Sequence, residues 1–302
     1  MPQKGRKESP AAKRGARLAI KKTWKLYIGG AFLRSESGRY LVTPDHGDDG
    51  SRDNFARASR KDARDAVKAA LDALARWSKV SAYQRGQILY RLAEVMESRR
   101  AELEHSLKRA GAREAGRETG AAIDRVVSYA GWSDKFQSML ASSNPVASPH
   151  FAFSVPEPVG VVAIAAPSRP SLLGLVGCLA PVIVSGNVTV AVASELDPRT
   201  ALLFAECLHT SDFPGGVVNL LTGSRAELLP VLARHKAVRA LDLWDIDAAQ
   251  AAELERDAAE NCKRVSRRAP GPARFYDERW ATSPALIARF VEIKSVWHPM
   301  GV

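Results

Sequence analysis

Three thiols and six imidazoles are the side chains in this sequence that could attack a carbonyl or relay its protons, and their spacing argues against that chemistry. Cys178, Cys207 and Cys262 are odd in number, far apart and in no metal-ligand spacing, so neither a disulfide framework nor a zinc site is expected. Cys178 and Cys207 stand among apolar helical neighbours, where a thiol behaves as a small buried hydrophobe with a raised pKa. His46, His105, His150, His209, His235 and His298 are scattered and read as surface or structural residues. A phosphate-cradling G-x-x-x-x-G-K-[ST], a G-x-G-x-x-G after a strand, a G-x-S-x-G elbow and an H-E-x-x-H are all missing from the sequence.

A chain of 302 residues, 46% hydrophobic and 25% charged, can bury a core and is expected to be globular. It has no apolar run of bilayer length and no apolar leader block, which together with reduced thiols predicts a cytoplasmic protein without membrane contact. The net charge of +11 is concentrated at one end: nine Lys or Arg and the single acid Glu8 stand among the first 25 residues. Residues 1–22 therefore read as a disordered basic tail. A charge run without interleaved aromatics carries no base readout, so a nucleic-acid partner is not expected.

The elements that must position any site follow from periodicity. Ala63, Ala66, Val67, Ala70, Leu71 and Leu74 line one face of a first helix. A second helix is expected from about Tyr83 to Leu107 and a third around Ile123, Val126, Val127 and Ala130. Strands over Phe151–Val155 and Val159–Ala165 are expected to be joined by a Pro-Glu-Pro turn. Helices over Leu172–Val184, Pro198–His209 and Ala226–His235 then alternate with strands at Val188–Ala193, Val217–Leu221 and Val238–Leu243. That alternation builds a parallel sheet with helices on both faces, which receives ligands at its strand ends. A helix from Ala248 to about Val265, a loop over Ser266–Asp277 and a strand over Phe290–Trp297 complete the chain.

Collinear stretches resemble the aldehyde dehydrogenases. They are Lys25-Leu-Tyr-Ile-Gly-Gly-Ala-Phe32, Val155-Pro-Glu-Pro-Val-Gly-Val-Val162, Leu179-Ala-Pro-Val-Ile-Val-Ser-Gly-Asn187, Phe213-Pro-Gly-Gly-Val-Val-Asn-Leu-Leu-Thr-Gly223 and Ala259-Glu-Asn-Cys-Lys-Arg-Val265. Glu292-Ile-Lys-Ser-Val-Trp-His-Pro299 is similar to the C-terminal strand by which these enzymes reach a neighbouring subunit. The resemblance implies an α/β, Rossmann-like cofactor-domain fold over 23–143 and 159–270, with oligomerisation arm strands at 144–158 and 286–300. The family's catalytic domain, at least roughly 100 to 150 residues on the usual domain scale, is missing between the last two stretches.

The resemblance also says what the chemistry would need: a thiolate, a carboxylate base, an amide donor for the oxyanion and a bound nicotinamide. The nucleophile has no counterpart, and Cys262 aligns with an ordinary apolar helix position. The family's oxyanion Asn falls on Arg169, its ribose-holding Lys on Val192, its Gly-Ser on Asp245-Ile246 and its general base on Arg268. A guanidinium cannot accept a proton, and a carboxylate at the helix start repels phosphate. Glu195 and the turn at Gly223 are the retained cofactor-type residues, with Glu195 otherwise a solvent-facing acid at the start of the next helix. The cofactor expectation is none or weak NAD(P). The expected role is an accessory subunit that joins a complete aldehyde dehydrogenase, or itself, through Phe151, Phe153, Val291, Ile293, Val296 and Trp297 on the arm. The alternative is a residual NAD-linked oxidoreductase acting on aldehydes, or an NAD-binding protein in its own right.

Overall fold

The computed structural model describes residues 22–42 and 53–301, so the basic tail, apart from Lys22, and His46 lie outside the described residues. Short strands β1 (Thr23–Trp24), β2 (Leu26–Ile28), β3 (Ala31–Leu33), β4 (Tyr40–Val42) and β5 (Asn54–Ala56) open the fold. Helices α1 (Arg60–Trp77), α2 (Ala82–Ser98), α3 (Arg100–Arg109), α4 (Ala115–Trp132) and α5 (Phe136–Leu140) follow, then β6 (Ser142–Asn144) and β7 (His150–Pro158). The α/β run is β8 (Val161–Ala165), α6 (Ser171–Val184), β9 (Val188–Val192), α7 (Pro198–Thr210), β10 (Val218–Leu221), α8 (Arg225–Arg234), β11 (Val238–Trp244), α9 (Ala248–Ala259) and β12 (Arg264–Arg268). A 3-10 turn at Pro272–Tyr276, α10 (Glu278–Ala281) and α11 (Ala285–Ala288) lead to β13 (Val291–Pro299).

The main sheet runs β12-β11-β8-β9-β10-β2-β3, five parallel strands extended by an antiparallel hairpin. Strands β8 and β9 are buried at every residue, as expected where helices cover both faces of a parallel sheet. Helix α6 is apolar all round and buried from Leu172 to Val184, so it is a core element and not a surface helix. Helix α1 is started by a capping box: Ser59 Oγ accepts from Asp62 N at 3.2 Å, and Asp62 Oδ2 accepts from Ser59 N at 2.7 Å. The hairpin approaches the β10 segment closely; a Cβ on Gly215 would lie 2.5 Å from Gly29 O, so no larger residue fits there.

Four local expectations are corrected. The single helix over Tyr83–Leu107 is two, broken at Arg99. Arg99 binds Glu206 of α7 at 2.7 Å and Glu102 at 2.6 Å, and Ser98 Oγ bonds back to Val95 O, which bends the chain there. The Pro-Glu-Pro segment is not a turn: β7 runs through it, paired with β13 from His150 to Pro158. Its other neighbour, β6, reaches only Ala152–Ser154, so Pro156 and Pro158 stand where one edge of β7 is unpaired and a missing N–H is tolerated. Helix α9 stops at Ala259 and the next segment is strand β12, not helix and loop. Cys262 adopts a left-handed φ of 51° that ends the helix. The Arg-Val-Ser-Arg-Arg of β12 hides its strand character because its inward residues, Ser266 and Arg268, are polar. Cys262 is thus an exposed turn residue and not a helix-core one.

Candidate functional site at the carboxyl ends of the strands

Four helices start at the edge where the parallel strands end, and each start is closed by a carboxylate of the chain itself. Glu118 Oε1 accepts from Leu172 N at 2.8 Å and Leu173 N at 3.4 Å at the head of α6. Asp197 accepts from Thr200 N at 3.1 Å in α7. Glu195 is exposed but points at α8, not at the helix that follows it, and accepts from Arg225 N at 2.6 Å. Asp247 accepts from Ala249 N at 3.0 Å and Gln250 N at 2.9 Å in α9. Free helix-start amides attract anions; here carboxylates already hold them, stabilised by the helix dipoles.

Between these caps lie the positions that the resemblance reads as substituted. Asp245 has φ 53° and accepts from Ser168 N at 3.2 Å. Arg169 is exposed and donates to Ala110 O at 2.9 Å. Gly223, at φ +155°, packs where a Cβ would meet Ala58 N at 3.2 Å. Arg225 is buried and donates to Ala166 O, and burial lowers its pKa.

Arg268 is 8% exposed. Its Nε lies 3.2 Å from Asp242 Oδ1 and 3.1 Å from Ser266 Oγ, and its guanidinium sits 4.6 Å above the Trp244 ring and 5.8 Å from that of Phe290. Trp244 Nε1 donates to Asp242 Oδ2 at 2.6 Å. Burial pushes the Asp242 carboxyl up, with Arg268 and the Trp244 N–H pulling the other way. The site is sealed above by the segment 269–290. Phe275 and Trp280 pack on Trp244 at ring separations of 5.3 and 6.2 Å. Arg125 donates to Phe275 O at 2.8 Å, Tyr129 to Ala281 O at 3.0 Å and Trp132 to Thr282 O at 2.8 Å. Local sequence shows the start of this segment only as a proline-containing loop and gives no sign of these contacts.

The sequence profile of the Aldehyde dehydrogenase family matches residues 32–275. The chain belongs to the aldehyde dehydrogenase family. It is 30% identical over 257 residues to the mitochondrial 10-formyltetrahydrofolate dehydrogenase of Mus musculus, covering 82% of this chain and 28% of that one. The cytosolic 10-formyltetrahydrofolate dehydrogenase of Homo sapiens is 32% identical over 249 residues, 80% of this chain and 28% of its own length. Among solved structures, HpcC from Thermus thermophilus superposes with a TM-score of 0.77 at 29% identity, over 83% of this chain and 48% of that one. The NAD+ complex of an aldehyde dehydrogenase from Bacillus cereus gives 0.77 at 23% identity, over 83% and 51%, and shows the shared fold. The chain thus spans about half the length of these family structures and 28% of these two curated relatives.

In this aldehyde dehydrogenase-family chain β12 leads to β13 through the short segment 269–290, and at least part of the catalytic domain is lacking. The cofactor-domain residues present do not fit a dinucleotide. The α9 amides that would face a pyrophosphate are held by Asp247, the α8 amide by Glu195, and Asp245 adds a second carboxylate beside α9. The three cysteines differ in setting. Burial pushes Cys178 well above its ordinary pKa and Cys207 to about 11. Cys262 stands just before the start of β12, at the opposite end of the sheet. None of Asp247, Glu118 and Asp242 was singled out from the sequence: an Asp just before the helix at Ala248 is a cap signal, whereas Glu118 and Asp242 have partners 54 and 26 positions away.

The arm residues separate into three groups. Phe151 is exposed and Phe153 and Val296 half-buried on one face of the β13-β7-β6 sheet, and Ile293 and Trp297 are exposed on the other, by the pairing register. Val291 is buried at the root of β13 and so belongs to the core.

Proposed function

We propose that this chain is a non-catalytic subunit of the aldehyde dehydrogenase family, cytoplasmic, carrying no or weakly held NAD(P). It associates through the β13-β7-β6 sheet with a catalytically complete aldehyde dehydrogenase. The observation that carries the reading is the state of position 268. A buried guanidinium paired with Asp242 and stacked on Trp244 occupies the position that the sequence resemblance gives to the family's base, and a guanidinium cannot activate water. The arm supports the second half: β13 is an edge strand with apolar residues exposed on both faces of its sheet, which suits addition to a neighbour's sheet.

The test is affinity capture of the tagged full chain from its own organism, with NAD-dependent aldehyde oxidation assayed in the eluate and in the chain alone. A full-length aldehyde dehydrogenase in fixed ratio, with activity confined to the complex, is the expected result. Deleting from Phe290 onward is a poor control, since Phe290 is fully buried and its carbonyl accepts from Asn187 Nδ2 at 2.7 Å. The double variant Ile293→Glu, Trp297→Glu changes exposed residues and should release the partner with an unchanged melting temperature. Activity in the chain alone, or capture indifferent to that variant, would sink the reading.

A further inference from the structure

A cavity of about 380 Å³ opens beside the strand ends, between the α3–α4 turn, the β8–α6 turn and the closing segment. That volume lies in the range of small-molecule sites. Two walls are inherited from the cofactor-domain fold, and the third, Pro272 and Tyr276, comes from the segment that stands in place of the catalytic domain, so the cavity as built is this chain's own.

Four charged side chains line it, and their partners settle its sign. Glu114 is paired with Arg117 at 2.9 Å. Glu118 is held by the α6 amides of Leu172 and Leu173. Arg113 makes no ion pair among the described residues, and Arg169 donates to the neutral carbonyl of Ala110, while burial raises the Glu118 carboxyl pKa and the charge of Arg169 pulls it down. Counted with Arg117, three guanidinium groups stand against two acids around this open space, so one positive charge is left in excess. Pro170, Pro272 and Tyr276 give it flat apolar walls, and Arg117 already covers one face of Tyr276 at 4.5 Å.

We propose that this cavity binds a small planar organic carboxylate, its anionic head between Arg113 and Arg169 and its ring against Pro170, Pro272 and Tyr276. Guanidinium groups recognise carboxylates by paired N–H donors. The oxyanion amide of an oxidising site has thus given way to a fixed cation for the anion itself, and the site recognises a ligand without transforming it. It operates whether or not the arm has a partner.

The experiment is calorimetric titration of the full-length chain with benzoate and with uncharged benzamide. Benzoate should bind saturably, and benzamide roughly tenfold or more weaker, the value of one charge-assisted contact. Arg169→Met and Arg113→Met should each weaken benzoate by about tenfold and leave benzamide unchanged, while Tyr276→Ala weakens both. Arg256→Met, outside the cavity, should alter neither. Absence of benzoate saturation by about 10 mM, equal affinity for the two probes, or unchanged benzoate binding in Arg169→Met at an unchanged melting temperature would overturn the proposal.

Discussion

The guanidinium of Arg268 is held so that it can neither take a proton nor turn out to solvent. Its charge is matched by Asp242, and its flat faces lie between Trp244 and Phe290. Restoring an acid by Arg268→Glu would place two carboxylates in one buried site. The expected outcome is a loss of roughly 3–5 kcal/mol in denaturant unfolding, the scale for breaking a buried pair, with no aldehyde oxidation gained. Glu118 bears a different test. Burial raises its pKa above the ordinary 4.5, more than the two α6 amides lower it. The folded state then holds the proton more tightly than the unfolded one. Its contribution to stability is full below pH 4.5 and is lost as pH rises through the raised value. Glu118→Gln keeps an oxygen for Leu172 N, and its unfolding free energy should lack that downward slope; an identical pH profile in the variant would refute the assignment.

At the scale of elements, the helix starts decide what the strand ends can bind. Asp247 satisfies two amides of α9 that would otherwise face a ligand. Asp247→Ala should cost about 1 kcal/mol in stability, the usual value of an N-cap. It should still not create measurable NAD binding, because Asp245 and the Glu195 cap of α8 remain; equilibrium titration with NAD checks this. Strand β12 teaches the converse about legibility. Its pairing with β11 runs from Ala240↔Arg264 to Trp244↔Arg268, yet its sequence carries no alternation of apolar residues. The polarity follows from the ion pair it buries, which is a property of its neighbours.

At the scale of the molecule, the junction between β12 and β13 is closed by residues 269–290, whose aromatics join the core next to Trp244. Phe275 is 1% exposed there. Phe275→Ala should lower global stability by about 3–5 kcal/mol, as for other buried aromatics cut to alanine. The loss should appear in one cooperative transition followed by both tryptophan fluorescence and circular dichroism. A separate early transition would mean that the closing segment melts alone and is not part of the core.

Periodicity along the chain was enough to determine the alternation from Val159 to Leu243, because fully buried parallel strands and their helices are each apolar in a way that local sequence displays. The order and spacing of short stretches from Lys25 to Val265 determined the family, and by that resemblance the residues at 169, 192, 245 and 268 read as substitutions at its catalytic and cofactor positions. Tertiary structure alone decided what the replacements do. That Arg268 meets Asp242, that Glu195 caps α8, that Val291 is core while Ile293 is surface, and that β7 continues through two prolines all depend on which strands and helix ends lie side by side. Those are contacts between residues far apart in the chain, and no local pattern encodes them.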